Sequence, residues 1–153
     1  MSELFTLDPG AVATVRAEDG RHILALLAER FAAVYDLEHG EVLERLEERE
    51  RLGSTGFGRG VAVPHARVAG LRGPVAAFLR LEAPVAFAAA DAMPVNLVYG
   101  LLSPEQCGAA HLQALAAISR MMRDEGMRAN LAAAPDPEAI YGLLSNVLDR
   151  YAA

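Results

Sequence analysis

At 153 residues the chain is about the length at which one hydrophobic core is well covered, which predicts a single domain over 1–153. Its formal charge is −6, and all 14 basic residues are arginines that form no clustered stripe, so phosphate-neutralising contact with DNA or RNA is not expected. Alanine inflates the 53% hydrophobic content, and no apolar run approaches the roughly 18 residues of a membrane span. The start, MSELFTLDPG, is acidic where a secretory signal would be basic, and the lone Cys107 cannot close an intrachain disulfide, so a soluble cytoplasmic protein is expected.

In chain order, Val12 to Val15 alternates as a short strand does, and the acidic residues after it suit a helix start. From Asp19 to about Tyr35, the residues Ile23, Leu24, Leu27, Phe31, Val34 and Tyr35 recur at three- and four-residue intervals, as one buried helix face requires. A second helix is predicted from about Glu38 to Arg51, with Val42, Leu43 and Leu46 inward and Gly53 ending it in a left-handed turn. GSTGFGRG then reads as a loop. Three short segments rich in valine and leucine, VAVP, PVAAFLRL and VNLVYGLL, are candidate buried strands. AAHLQALAAISRMMRD, EGMRANLAAA and DPEAIYGLLSNVLDRY read as helices, the last with Asp136 as N-cap and Pro137 at its first position. The order β, α, α, β, β, β, α, α, α supplies helices for both faces of a four- or five-stranded sheet, a three-layer α/β/α sandwich.

Among the four histidines, His22 and His39 fall amid charged residues of predicted helices and read as solvated surface groups. His65 differs, because Pro64 restricts the backbone just where its imidazole emerges from a strand end. It is either a nucleophile on a stiff support or an ordinary histidine closing a strand. The preceding GSTGFGRG combines four glycines with Ser54 and Thr55, a composition that can cradle an oxyanion with backbone N–H groups or serve as a plain turn. It lacks the lysine of a P-loop. Arg49, on the last turn of the second helix, can swing toward that loop or join Arg45 and neighbouring glutamates in an exposed ion-pair face. Cys107 and His111, four apart, raise a metal site with His65, but no further ligand motif accompanies them. Asp91 offers a triad carboxylate, yet GSTG lacks the spacing of a nucleophile elbow.

The stretches RERLGSTGFGRGVAVPHARV, RLEAPVAFAAADAMPVNLVYGLLSP and HLQALAAISRMMRD together resemble the IIA proteins of the bacterial phosphoenolpyruvate-dependent phosphotransferase system, fructose/mannitol class, and most of all their nitrogen-regulatory branch. The resemblance implies that His65 accepts a phosphoryl group from phosphohistidine on an HPr-like phosphocarrier, that His111 is the second active-centre histidine, and that Arg49 is the arginine before the loop. Ser54, Thr55, Gly56 and Arg59 then become candidate phosphoryl-binding residues, and no metal or other cofactor is required. A position near the N-terminus of its helix would let His111 add that positive helix end to the site. The sequence departs from the family at Arg59, commonly asparagine, at Ala88, usually Asp or Gly, and at Asn96, usually an acid. Without fused membrane or kinase-like domains, regulation of partner proteins is expected ahead of a sugar-specific role feeding a IIB subunit, and both ahead of a metal-dependent hydrolase. The phosphoryl group is expected to sit on a shallow surface ringed by Phe57, Val61 and Pro64 with Arg59 and Arg67 nearby, and a weak homodimer is left open.

Overall fold

The structure is a computed structural model that describes residues 4–87 and 93–152, with 147–152 described by backbone alone. Ala88 and Asp91 lie outside the described residues. Among the described residues six strands form one mixed sheet, β1 (Thr6–Val15), β2 (Gly56–Gly58), β3 (Val61–Ala62), β4 (His65–Val68), β5 (Val75–Val85) and β6 (Val95–Pro104). Five helices accompany them, α1 (Gly20–Tyr35), α2 (His39–Leu52), α3 (Ala109–Arg123), α4 (Glu125–Ala133) and α5 (Pro137–Ala152).

β6 is the hub of the sheet. On one edge it runs antiparallel to β5, which is parallel to β1; on the other it runs parallel to both β3 and β4, and β2 folds back antiparallel on β3. The expected segment VAVP is therefore strand only at Val61 and Ala62, and a further strand begins at His65. Part of the glycine-rich loop is strand as well, since Gly56 to Gly58 pairs with β3. These two short strands raise the sheet from the expected four or five strands to six.

Side-chain parity separates the helical layers. Gly100 of β6 faces α1 so closely that a Cβ there would lie 2.6 Å from Leu27 Cδ2. Arg80, paired with Leu97 three residues from Gly100, points to the other face, where its guanidinium donates to the Leu131, Ala132 and Ala134 carbonyls at the end of α4. Successive strand residues alternate between faces, so α1 and α4 lie on opposite sides, as the three-layer reading requires. One apolar core runs through these layers, with Phe31, Phe78, Leu79, Tyr99, Leu101 and Ile118 fully buried. No helix among the described residues is long and apolar enough to cross a membrane.

Helix ends follow the side chains the sequence supplies. Asp19 caps α1 by accepting from the His22 N–H, and Asp136 caps α5 by accepting from the Ala139 N–H at 2.8 Å. Gly53 does close α2, but at φ 157° and ψ 148° it is near-extended and not in the expected left-handed turn. β1 starts at Thr6, well before the predicted Val12, because a bulge between Leu7 and Val12 breaks the alternation. Tyr35 repairs the bulge: its hydroxyl accepts from the Asp8 N–H at 2.9 Å and donates to the Ala76 carbonyl at 2.6 Å.

The Gly100–Leu27 contact yields a packing prediction. Gly100→Ala should lower the unfolding free energy by about 1–3 kcal/mol, because fully buried Leu27 has little room to yield. In urea denaturation, pairing it with Leu27→Ala should cost less than the sum of the two single changes; strict additivity would show that the two side chains do not meet.

Candidate functional site

The break between β3 and β4 positions His65. Val63 and Pro64 separate the two strands: the Val63 N–H turns to the Thr55 carbonyl at 2.9 Å, while the Pro64 carbonyl still accepts from the Leu101 N–H of β6 at 3.0 Å. His65 opens β4 and folds its ring back so that Nδ1 lies 2.7 Å from the Val63 carbonyl oxygen. A carbonyl can only accept, so Nδ1 carries the proton and Nε2 presents its lone pair. The period of two along β4 puts Arg67 on the same face as His65.

α3 brings His111 to the same place. It lies in the first turn, 5% exposed, with Nδ1 2.6 Å from Ser103 Oγ at the end of β6. Its ring centroid is 5.8 Å from that of His65. From the last turn of α2, Arg49 directs one nitrogen to the Gly53 carbonyl at 2.8 Å. Together these three side chains line a groove of about 430 Å³ with Arg45, Glu48, Leu52, Arg67, Leu112 and Leu115. Leu52 and Leu112 are 85% and 65% exposed, an apolar cost on a surface with no covering element.

The loop contributes differently from the expectation of a backbone cradle. Glu50 takes both donors of Thr55, the N–H at 2.9 Å and Oγ1–H at 2.6 Å, and Thr55 is buried. Ser54 Oγ donates to the Phe87 carbonyl and accepts the Gly56 N–H at 3.0 Å. These donors are spent inside the loop, which they stiffen. Arg59 occupies a left-handed position, φ 58°, in the β2–β3 turn and is not among the described residues that line the groove. The expected apolar ring is corrected too: Val61 and Pro64 are buried, Phe57 is half-buried against the core, and the rim is instead formed by Leu52 and Leu112.

Electrostatics keep both imidazoles neutral. Burial pushes His65 below the ordinary imidazole range, against its Val63 hydrogen bond, and the Arg49 and Arg67 charges push the same way. His111 is lowered to about 4, by burial first and then by Arg67 and His65. Arg45 has drifted from the expected ion-pair face toward Glu105, 4.0 Å away. Cys107 lies outside the groove, and among the described residues no three His, Cys, Asp or Glu side chains converge on a metal position. His22 is a helix-end acceptor, its Nδ1 taking the Glu18 N–H at 3.0 Å.

Sequence reasoning passed over Ser103, Glu50 and the two rim leucines. Ser103 is a lone serine at the end of an apolar strand, fully buried, and its only signal was that a buried hydroxyl needs a partner. Glu50 was hidden in a run of alternating glutamates and arginines.

Residues 7–147 match the family model described as "Phosphoenolpyruvate-dependent sugar phosphotransferase system, EIIA 2". A nitrogen regulatory protein of Pseudomonas aeruginosa is 44% identical over 106 residues, 69% of each chain, and one of Bradyrhizobium diazoefficiens is 39% identical over 131 residues, 86% of each. The crystal structure of nitrogen regulatory protein IIA-Ntr from Neisseria meningitidis superposes with a TM-score of 0.80 at 32% identity, covering 90% of this chain and 95% of that one. The fold, the groove and these matches agree: the chain belongs to the EIIA 2 family of the phosphoenolpyruvate-dependent sugar phosphotransferase system.

Proposed function

We propose that this protein is a cytoplasmic IIA of the nitrogen-regulatory type, which accepts a phosphoryl group on Nε2 of His65 from phosphohistidine on an HPr-like carrier and binds its regulated partners according to its phosphorylation state. The observation that carries this reading is the Val63 carbonyl on His65 Nδ1, which leaves Nε2 unprotonated in a groove that also holds three arginines and a second imidazole. In the transfer, the bond from phosphorus to the carrier imidazole breaks as the bond to His65 Nε2 forms. Each ring keeps the proton on its other nitrogen, so no proton crosses. The new imidazolium N–H strengthens its bond to the Val63 carbonyl. Arg49 and Arg67 face the phosphoryl oxygens as charge spreads over them, the positioning and electrostatic support that phosphoryl transfer needs. Burial of both histidines in neutral form favours an acceptor that is ready at neutral pH.

Incubation with phosphoenolpyruvate, enzyme I and an HPr-like carrier should give an acid-labile phosphate on the wild type and none on His65→Gln, while His111→Gln should still be labelled about 10²-fold more slowly. Label persisting on His65→Gln would refute the assignment. Onward passage of the phosphate to a IIB subunit and sugar, with partners binding both forms equally, would replace regulation by the sugar-transfer role.

Arg49→Lys should behave as a loss, because an ammonium that replaces the bond to Gly53 has no second planar arm for the phosphoryl oxygens. Transfer at the wild-type rate in stopped-flow mixing would leave Arg49 as a helix-end group only.

Stability carries a pH signature of its own. His111 titrates near 6.5 when unfolded and about 4 when folded, so the unfolded chain binds more protons between those values. Stability is therefore full above 6.5 and falls as pH drops toward 4, by at most about 3 kcal/mol from this group. In guanidinium titrations His111→Gln should flatten that slope; an unchanged slope would mean His111 titrates normally.

A further inference from the structure

The two imidazoles line the same groove, yet their Nδ1 atoms meet different kinds of partner. His65 meets a carbonyl, which only accepts; His111 meets a hydroxyl, which can donate or accept. Which way the second bond runs decides what His111 offers the groove. Ser103 is fully buried, and among the described residues its Oγ has no partner besides His111 Nδ1. If His111 donated to Oγ, the serine proton would be left in the core without an acceptor, a state that costs free energy and is rare. If Ser103 donates, every group is satisfied.

We propose that Ser103 is a positioning residue for phosphoryl transfer, whose hydroxyl proton fixes His111 with Nδ1 as acceptor and Nε2–H directed to the groove as a hydrogen-bond donor for the phosphoryl oxygens. The inference rests on the function proposed above. It explains a division of labour that composition alone leaves ambiguous: two neutral imidazoles 5.8 Å apart are held in opposite tautomers, one presenting a lone pair and the other a proton. His111 is thereby denied the role of acceptor. Because His111 is pushed down to about 4, its tautomer and not its charge determines its role at neutral pH. The placement also makes a donor available without a change of ionisation during the reaction, as preorganised stabilisation of developing charge requires.

Nitrogen-15 NMR of the unphosphorylated protein at pH 7 reads the tautomers directly and needs no carrier. Protonated Nε2 on His111 with protonated Nδ1 on His65 is the expected pattern; protonated Nδ1 on His111 would overturn the inference whether or not the protein accepts phosphate. Ser103→Ala should convert His111 to a tautomer mixture and slow transfer from saturating carrier by about ten- to a hundredfold, with the KM for the carrier unchanged. Ser103→Thr keeps the hydroxyl and should restore both the tautomer and the rate. Transfer by Ser103→Ala at the wild-type rate, with its His111 tautomer altered, would refute the positioning role. Loss of labelling on wild-type His65 would instead fail the function and leave the tautomer assignment standing or falling on the spectrum.

Discussion

The hydrogen bond from His65 Nδ1 to the Val63 carbonyl is the interaction on which the account depends. It exists because one edge of β6 is paired by a strand in two pieces, β3 and β4, with Val63 and Pro64 between them. Pro64 lacks the N–H that an unbroken strand would need, and the Val63 carbonyl before it takes the imidazole proton. Val63 turns its N–H to Thr55, on the side away from β6, and its carbonyl is the acceptor that sets the His65 tautomer. The break therefore turns a histidine beside a core sheet into one with a single exposed lone pair.

Around it, the elements act as supports. α2 delivers Arg49 and, through Glu50, seizes Thr55 and so fixes the loop that leads into β2. α3 delivers His111 against the end of β6. The cations sit on different elements, Arg49 on α2 and Arg67 on β4, so their charges converge on the histidines without pairing with each other's neighbours. The chain is acidic as a whole, and this positive groove is local to it. Two exposed leucines at its rim fit a surface that another protein covers while the phosphoryl group is handed over.

Much of this was legible in the sequence, and for physical reasons. The face of α1 was readable because six apolar residues keep a helical period, and the cap Asp136 because its side chain bonds within three residues. The buried runs of β5 and β6 were readable because strands covered on both faces are nearly all apolar. His65, Arg49 and His111 were located by the family motif, and the groove brings all three together. The early part of β1 was not legible, since its bulge is closed by a tyrosine 27 residues away from Asp8. The partners of the loop's hydroxyls were not legible, since Glu50, five residues back, takes both donors of Thr55 and the distant Phe87 carbonyl takes that of Ser54. The rim was misassigned because β3 faces the core on both sides, which hides Val61, and Leu52 and Leu112 at helix ends take its place. Ser103 left no periodic trace at all; only the fold shows what its hydroxyl meets.

The central claim concerns one atom, His65 Nε2. It is tested most directly by phosphorylating the nitrogen-15-labelled protein through its carrier and reading phosphorus–nitrogen coupling in the histidine spectrum. A single phosphohistidine is expected, at residue 65, with phosphorus on Nε2 and the proton retained on Nδ1, donated to the Val63 carbonyl. Phosphorus on Nδ1 of His65, or on either nitrogen of His111, would contradict it.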